Sequence, residues 1–570
     1  MRSVWGIIAA AALLLVACSP QGTPQPGTAQ PAPAESGGEP AGAPDEGDAA
    51  PAAPGPAPLE RIVLCTGPRP DVLFDGNATG DALLRLVVPQ AVIYGVDYTA
   101  EPGLLTGLPN VAEGTLRREG DGSVLVTLRY RNDLVWSDGE PFDVADAVAG
   151  LQHPVSAGDV APLAAAQDDA HTLTLALPAD APYPYVPAAP PLPSHVELDG
   201  DTVPDSARLG PALGPYVLAE DAGDTLVFAA NPNAPDFVER VPQALVRFLA
   251  GPDAVLDALT AGDCDVSLDG ALADTGLPDL LAEVDPAQVQ VATAAGPVYD
   301  QLIFNTYTAD TGRAPLFADA RVRQAVARAL NRRSAAALLG GDAVPEGVVL
   351  DSWLPANHWA NPGAERLTVY PPDAAAGGAL LDEAGWPDAN GDGVRESAGE
   401  GGAYSCGRGD WRVDAGQPLV PELVIPEGDA FRQQLAERIQ ADLAAVGIAV
   451  TVTPVAPEVL YSADGPLARR TFDLALLAAV ATPDPGGISR FVGAEVYLHP
   501  TELRAVRRGE LEDRWLRTEQ MVERLAYSNI PSAENGYEGQ NYAGWCSDAA
   551  DAALAQAQRV ALGAATSCSS

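Results

Sequence analysis

The run FRQQLAERIQADLAAVGIAVTVT, residues 431–453, decides the fold class. Phe431, Leu435, Ile439 and Leu443 recur at four-residue intervals, which lines them along one face of a helix. Gly447 is a C-terminal stop, and residues 448–453 run on as a strand. The same order occurs upstream: residues 253–261 carry Val255, Leu256 and Leu259 on one face, stop at Gly262, and pass into a strand over 264–268. Helices that lead directly into strands predict α/β units with mostly parallel pairing. Further strands are read at 61–65, 123–130, 171–177 and 225–229, and no tandem repeat recurs at a fixed period.

The chain of 570 residues is 47% hydrophobic, enough for large cores and two or more domains. Its 77 acidic residues outweigh 33 basic ones, all of them Arg, for a net charge of −44. That balance repels phosphate backbones and anionic headgroups, which argues against a nucleic-acid partner. With five His and no G-x-S-x-G, H-E-x-x-H or phosphate-binding loop, nothing marks a catalytic centre, and no cofactor is implied.

The N-terminus predicts export. Arg2 is followed by an apolar run over 4–16, too short to span a bilayer and suited to a signal peptide. Leu15-Val16-Ala17-Cys18 resembles the lipobox of bacterial lipoproteins, which implies cleavage after residue 17, lipidation of Cys18 and a membrane anchor. Residues 19–59 are Pro, Ala, Gly, Glu and Ser with almost no large apolar side chain, the composition of a disordered tether. Beyond Cys18 stand Cys65, Cys264, Cys406, Cys546 and Cys568. An odd count in an oxidising compartment leaves at least one thiol outside any internal pair, and no spacing suggests a metal site.

Several motifs in fixed order carry a resemblance. They are Leu125 to Arg129 leading to Val135-Trp-Ser-Asp138-Gly139-Glu-Pro141 and Asp146; Gly214-Pro215-Tyr216; Gly262-Asp-Cys-Asp265; Phe304-Asn305 followed by Asp319-Ala-Arg321-Val-Arg323; Ala384-Gly385-Trp386; Pro483-Asp484-Pro485; and Asn541 through Gly544 to Asp548. From about residue 60 to 555 the chain resembles the extracellular solute-binding proteins of family 5, which include peptide and nickel receptors.

The resemblance implies a two-lobe α/β fold of the type II periplasmic-binding-protein kind, with a hinge and an inserted subdomain. Lobe one would use 60–80, 200–293 and 536–570, the insert 81–199, and lobe two 294–535. It also implies a monomeric lipoprotein in the cell envelope that hands a peptide or other small solute to the permease of an ABC importer. The alternative is a signalling or chaperone-like receptor on the same fold. The strands at 61 and 264 would be neighbours, which suggests a Cys65–Cys264 disulfide. Tyr299, Asn305, Trp353, Thr482 and Asp484 are candidate cleft residues. Peptide-binding relatives place an acid just before the Asp-Pro turn, where this chain has Ala481 and Thr482. Asp388-Ala-Asn390-Gly-Asp392-Gly393 has the first half of a calcium loop, but Gly399 stands where the bidentate acid belongs, so a metal-free turn is expected. The family continues past the Asp551 helix with another helix and strand, so the return to lobe one is expected to be incomplete.

Overall fold

The computed structural model describes residues 59–553 except 71–77, 120–122, 153–161, 178–180, 182–183, 188, 197–209, 235–239, 269–270, 273–276, 293–295, 342–343, 345–346, 486–494, 497–526 and 538. Cys18, nearly all of the tether and Cys568 lie outside the described residues. Among the described residues no helix is long and apolar enough to cross a membrane.

Three main sheets organise the described residues. The first orders Val266–Ser267, Arg61–Thr66, Gln243–Phe248, Thr225–Ala230 and Tyr216–Asp221 side by side. Val63, Leu64 and Cys65 are consecutive and all buried, because the strand is covered on both faces. Leu64 packs with Leu83 and Val87 of the helix Ala78–Val87, while Val63 and Cys65 pack with Val255 of the helix Pro252–Ala261. That second helix ends because Gly262 adopts φ 75° and donates its N–H back to the last turn. The chain then lies parallel to Arg61–Thr66, and a disulfide joins Cys65 to Cys264 with 6.0 Å between Cα atoms.

The second sheet orders Leu116–Arg118, Val124–Arg129, Thr172–Leu177 and Ala164–Asp169, all antiparallel. Val124, Val126 and Leu128 alternate inward with Leu173, Leu175 and Leu177 over the buried Trp136. The motif residue Asp146 is spent on structure. Its buried carboxylate accepts from the Trp136 indole at 2.9 Å, from the Ser194 amide at 2.8 Å and from the Asp143 amide at 3.1 Å.

The third sheet orders Val298–Phe304, Leu474–Val480, Glu422–Pro426 and Thr451–Val455. The first strand runs antiparallel to its neighbour and the other three are parallel. The helix read over 431–446 occupies Ala430–Ala444, capped by the Asp429 side chain on the Arg432 amide. Its following strand begins at Thr451 rather than 448. The Ile448 amide is drawn back to cap Leu443 at 3.1 Å, and the Ala449 amide bonds Leu419.

Among the described residues, parallel pairing is confined to three strands at one side of the first sheet and three strands of the third; the other named pairs are antiparallel. The expectation of mostly parallel pairing is therefore corrected. It was drawn from two helix-to-strand passages, whereas strands such as Tyr216–Asp221 and Thr225–Ala230 are joined by short turns that allow only antiparallel neighbours. Two segments lie at or across the expected domain boundaries. The helix Ala78–Val87 straddles the 80/81 boundary and packs on the first sheet. Residues 541–546 are held beside the third sheet. The Ala543 carbonyl accepts from the Thr306 amide at 2.8 Å, the Gly544 carbonyl accepts from Arg408 at 2.6 Å, and a second disulfide joins Cys546 to Cys406.

Peptide mapping of the non-reduced protein is expected to return Cys65 joined to Cys264 and Cys406 to Cys546; free thiols at these positions contradict the pairing. Replacing Cys65 and Cys264 together by Ser should cost roughly 2–4 kcal/mol in a denaturant titration. Asp146→Ala strands the buried Trp136 indole donor and two part-buried amides and should cost roughly 1–3 kcal/mol, where an exposed Asp would cost little.

Candidate functional site

In open α/β sheets the carboxyl ends of the strands are where loops diverge and ligands are held. In the third sheet that rim is formed by Pro426, Val455 and Val480, with Val298 of the antiparallel strand beside them. The last rung is the Ala481 amide on the Pro297 carbonyl at 2.7 Å. The chain then enters the turn Thr482-Pro-Asp-Pro485, pinned by the Thr482 hydroxyl on the Asp484 carbonyl at 2.8 Å.

The loop over residues 353–361 clasps this turn carbonyl by carbonyl. The Trp353 indole donates to Pro485 at 3.3 Å, the Trp359 indole to Pro483 at 3.1 Å, and His358 Nε2 to Thr482 at 3.0 Å. The loop holds its own shape through Asn361, whose amide donates to the Leu354 and Pro355 carbonyls. Both indoles stay well exposed, 43% for Trp353 and 47% for Trp359, while His358 between them is buried. Two open aromatic surfaces therefore flank Asp484.

A third segment closes over the same loop. Strands Val92–Tyr94 and Ala100–Pro102 form a hairpin whose base packs with the second sheet's core through Ala91, Val92, Leu104 and Leu105. Its tip reaches across to the 353–361 loop. The Val96 carbonyl accepts from the Asn357 amide group at 2.6 Å, the Asp97 carbonyl accepts from the Trp359 backbone at 2.9 Å, and the Tyr98 ring lies 4.9 Å from the His358 ring. Burial holds the His358 imidazole below its ordinary value, against the opposing pull of the Thr482 carbonyl and of Asp484 and Asp97.

Lower on the rim, Arg432 at the start of the helix Ala430–Ala444 pairs with Asp300 at 2.7 Å and with its own cap Asp429. Burial raises the Asp300 carboxyl above its ordinary value although Arg432 opposes the shift, and burial also raises the phenols of Tyr299 and Tyr461.

The structure thus brings Trp353, Thr482 and Asp484 together and leaves Tyr299 half-buried on the same rim, opposite Ala479. Asn305 is separate. It lies six residues along the strand from Tyr299, about 20 Å at 3.4 Å per residue. It is 1% exposed, and its amide donates to the Arg470 and Phe472 carbonyls at 2.8 and 2.9 Å. Asn305 is therefore a backbone bracket and not a cleft residue. Asp388, Asp392 and Glu396 converge within 4.8 Å, but Asp388 accepts the Gly391 and Gly393 amides and Asn390 bridges Asp392 to Glu396. These bonds close the turn from within.

Sequence reasoning missed His358, Trp359 and the 95–99 hairpin tip. The one available signal was the cluster Trp353-Leu-Pro-Ala-Asn-His-Trp359, rich in aromatics and His within a chain that has 8 Trp and 5 His.

Comparison with known proteins places this geometry. A family profile described as bacterial extracellular solute-binding proteins, family 5, middle region, matches residues 108–493. Protein XP55 of Streptomyces lividans is 26% identical over 440 residues, covering 75% of this chain and 72% of that protein. The oligopeptide binding protein of Thermus thermophilus, solved with a pentapeptide, superposes with a TM-score of 0.51 at 21% identity, covering 87% of this chain and 85% of that one. NikA of Brucella suis, solved with Fe(III)-EDTA, gives 0.54 at 21% identity, covering 88% and 91%. These likenesses establish a shared two-lobe α/β fold. The chain belongs to the bacterial extracellular solute-binding proteins of family 5.

Proposed function

We propose that the chain is the extracytoplasmic receptor of an ABC importer, anchored through a lipid on Cys18, that captures a peptide or similar small solute between its lobes and presents it to the permease. In this reading the first sheet is the core of lobe one, the second sheet that of the inserted subdomain, and the third sheet, extended by residues up to Cys546, that of lobe two. Binding rather than turnover is the task. Trp353, Thr482 and Asp484 contact the solute, with Tyr299 on the same rim.

The observation that carries the reading is the placement of two exposed indoles and a carboxylate on one turn at the carboxyl ends of parallel strands, faced by a hairpin from a different sheet. Exposed aromatic faces beside a carboxylate suit an apolar solute carrying an amine, through ring contact and charge pairing. Capture then follows from hinge closure, which a solute drives only by binding the closed form better than the open one.

A thermal-shift screen of the protein against peptides, nickel complexes and oligosaccharides tests the class. A solute at a hundred times its Kd adds about 2.7 kcal/mol of stability. One class is expected to raise the melting temperature, and a cooperative melt that no member of any class moves contradicts the reading. With a binding solute in hand, Trp353→Ala should cost about 1–2 kcal/mol of affinity and lower the free protein's melt only slightly, through loss of one hydrogen bond at the exposed rim. Asn305→Ala should do the reverse, costing about 1–3 kcal/mol of stability with affinity retained. Equal behaviour of the two variants would refute the assignment of roles.

A further inference from the structure

His358 is 3% exposed and is the one titratable side chain of the 353–361 loop. Its two ring nitrogens are committed in opposite senses. Nδ1 faces the Ala360 backbone N–H at 3.0 Å and can only accept there, so the ring proton sits on Nε2 and is donated to the Thr482 carbonyl at 3.0 Å. The neutral ring satisfies both contacts. A second proton would have to enter on Nδ1, directly against the Ala360 N–H, and that contact would become donor against donor.

The ring also supports both partners of the loop. It holds the turn beneath through Thr482, and its face carries Tyr98, whose left-handed conformation at φ 65° closes the hairpin tip. The next residue, Trp359, carries the backbone bond to Asp97 and the indole bond to Pro483. Displacement of the imidazole would therefore loosen the turn and the hairpin together. The charged and titratable groups around it are Asp97 and Tyr98 from the hairpin and Asp484 from the turn. The two carboxylates favour the imidazolium, while burial and the Ala360 amide disfavour it, and burial prevails.

We propose that His358 is a positioning residue for capture: as the neutral ring it latches the inserted-subdomain hairpin and the Thr482–Pro485 turn into one unit, and protonation of the ring releases the hairpin and opens the rim. The purpose of such a latch rests on the receptor reading above, since a receptor bearing it would hold solute at neutral pH and discharge it in acid.

The sign follows from the direction of the shift. A His held below its ordinary value of 6.5 favours the docked form above that pH, and the preference falls as pH drops through 6.5 toward the lowered value. Only one proton is involved, so docking weakens by at most about tenfold per pH unit.

The test follows hydrogen exchange of peptides spanning 95–99 and 355–361 in the solute-free protein from pH 7.5 to 5, corrected for intrinsic exchange, with residues 422–426 as an internal reference. Protection of the two segments is expected to fall together below about pH 6.5, while the reference strand stays protected. His358→Gln retains a donor toward Thr482 without a titrating ring, and is expected to flatten that dependence. A pH-independent wild type, an absence of protection at any pH, or a His358→Gln variant that tracks the wild type would overturn the proposal. If His358→Gln is undocked throughout, the wild-type imidazole proton resonance decides. Its titration midpoint must coincide with the loss of protection, and a midpoint elsewhere also overturns it. Because no solute is present, failure here is separate from failure of the receptor reading. A protein that passes this test but binds no solute keeps the latch and loses the receptor.

Discussion

Where a sheet runs out of partners, its last hydrogen bond decides where the chain is free to turn. In the third sheet that bond is the Ala481 amide on the Pro297 carbonyl. Before it, Val298–Phe304 and Leu474–Val480 are locked rung by rung. After it, two prolines within Thr482–Pro485 remove amide donors and leave carbonyls that must be satisfied by something other than a neighbouring strand. Three of them are met by side chains of a single loop, Trp353, His358 and Trp359. Both indole nitrogens reach rim carbonyls from the outer side and both residues stay exposed, while the His358 ring reaches its carbonyl from a buried position.

The same logic explains the far end of the strand. Asn305 and Arg470 are both buried and both spend their donors on carbonyls. Asn305 takes Arg470 and Phe472, while Arg470 takes Tyr307 and Pro531 and pairs with Asp310. Arg408 lies over the Tyr307 ring at 4.1 Å from its centre and reaches Gly544. With the Cys406–Cys546 disulfide, this network fastens Pro531 and residues 541–546 beside the third sheet. One end of the strand is closed by the buried Arg470, the half-buried Arg408 and a covalent link, and the other opens onto the rim.

Much of this was legible because local periodicity is a property of a few adjacent residues. The Phe431 repeat, the Gly262 stop and the strand read over 171–177 each specify an element without knowledge of the rest. Asn305 was misread because a Phe-Asn motif marks a place in the chain but not the face toward which the amide points. The bracket depends on carbonyls 165 and 167 residues away. His358 left even less trace, since its partner Thr482 is 124 residues distant and the hairpin carbonyl met by neighbouring Asn357 is 261 residues distant. The second disulfide was hidden for a related reason: five remaining cysteines admit many pairings, and spacing alone selects none.

On the proposed reading, the hairpin is already seated on the loop and solute closes the lobes further over the rim. Small-angle X-ray scattering of the protein with and without a stabilising solute measures that directly. A fall in the radius of gyration and in the maximum dimension on saturation is the predicted result. Saturating solute that leaves both unchanged would contradict capture by closure.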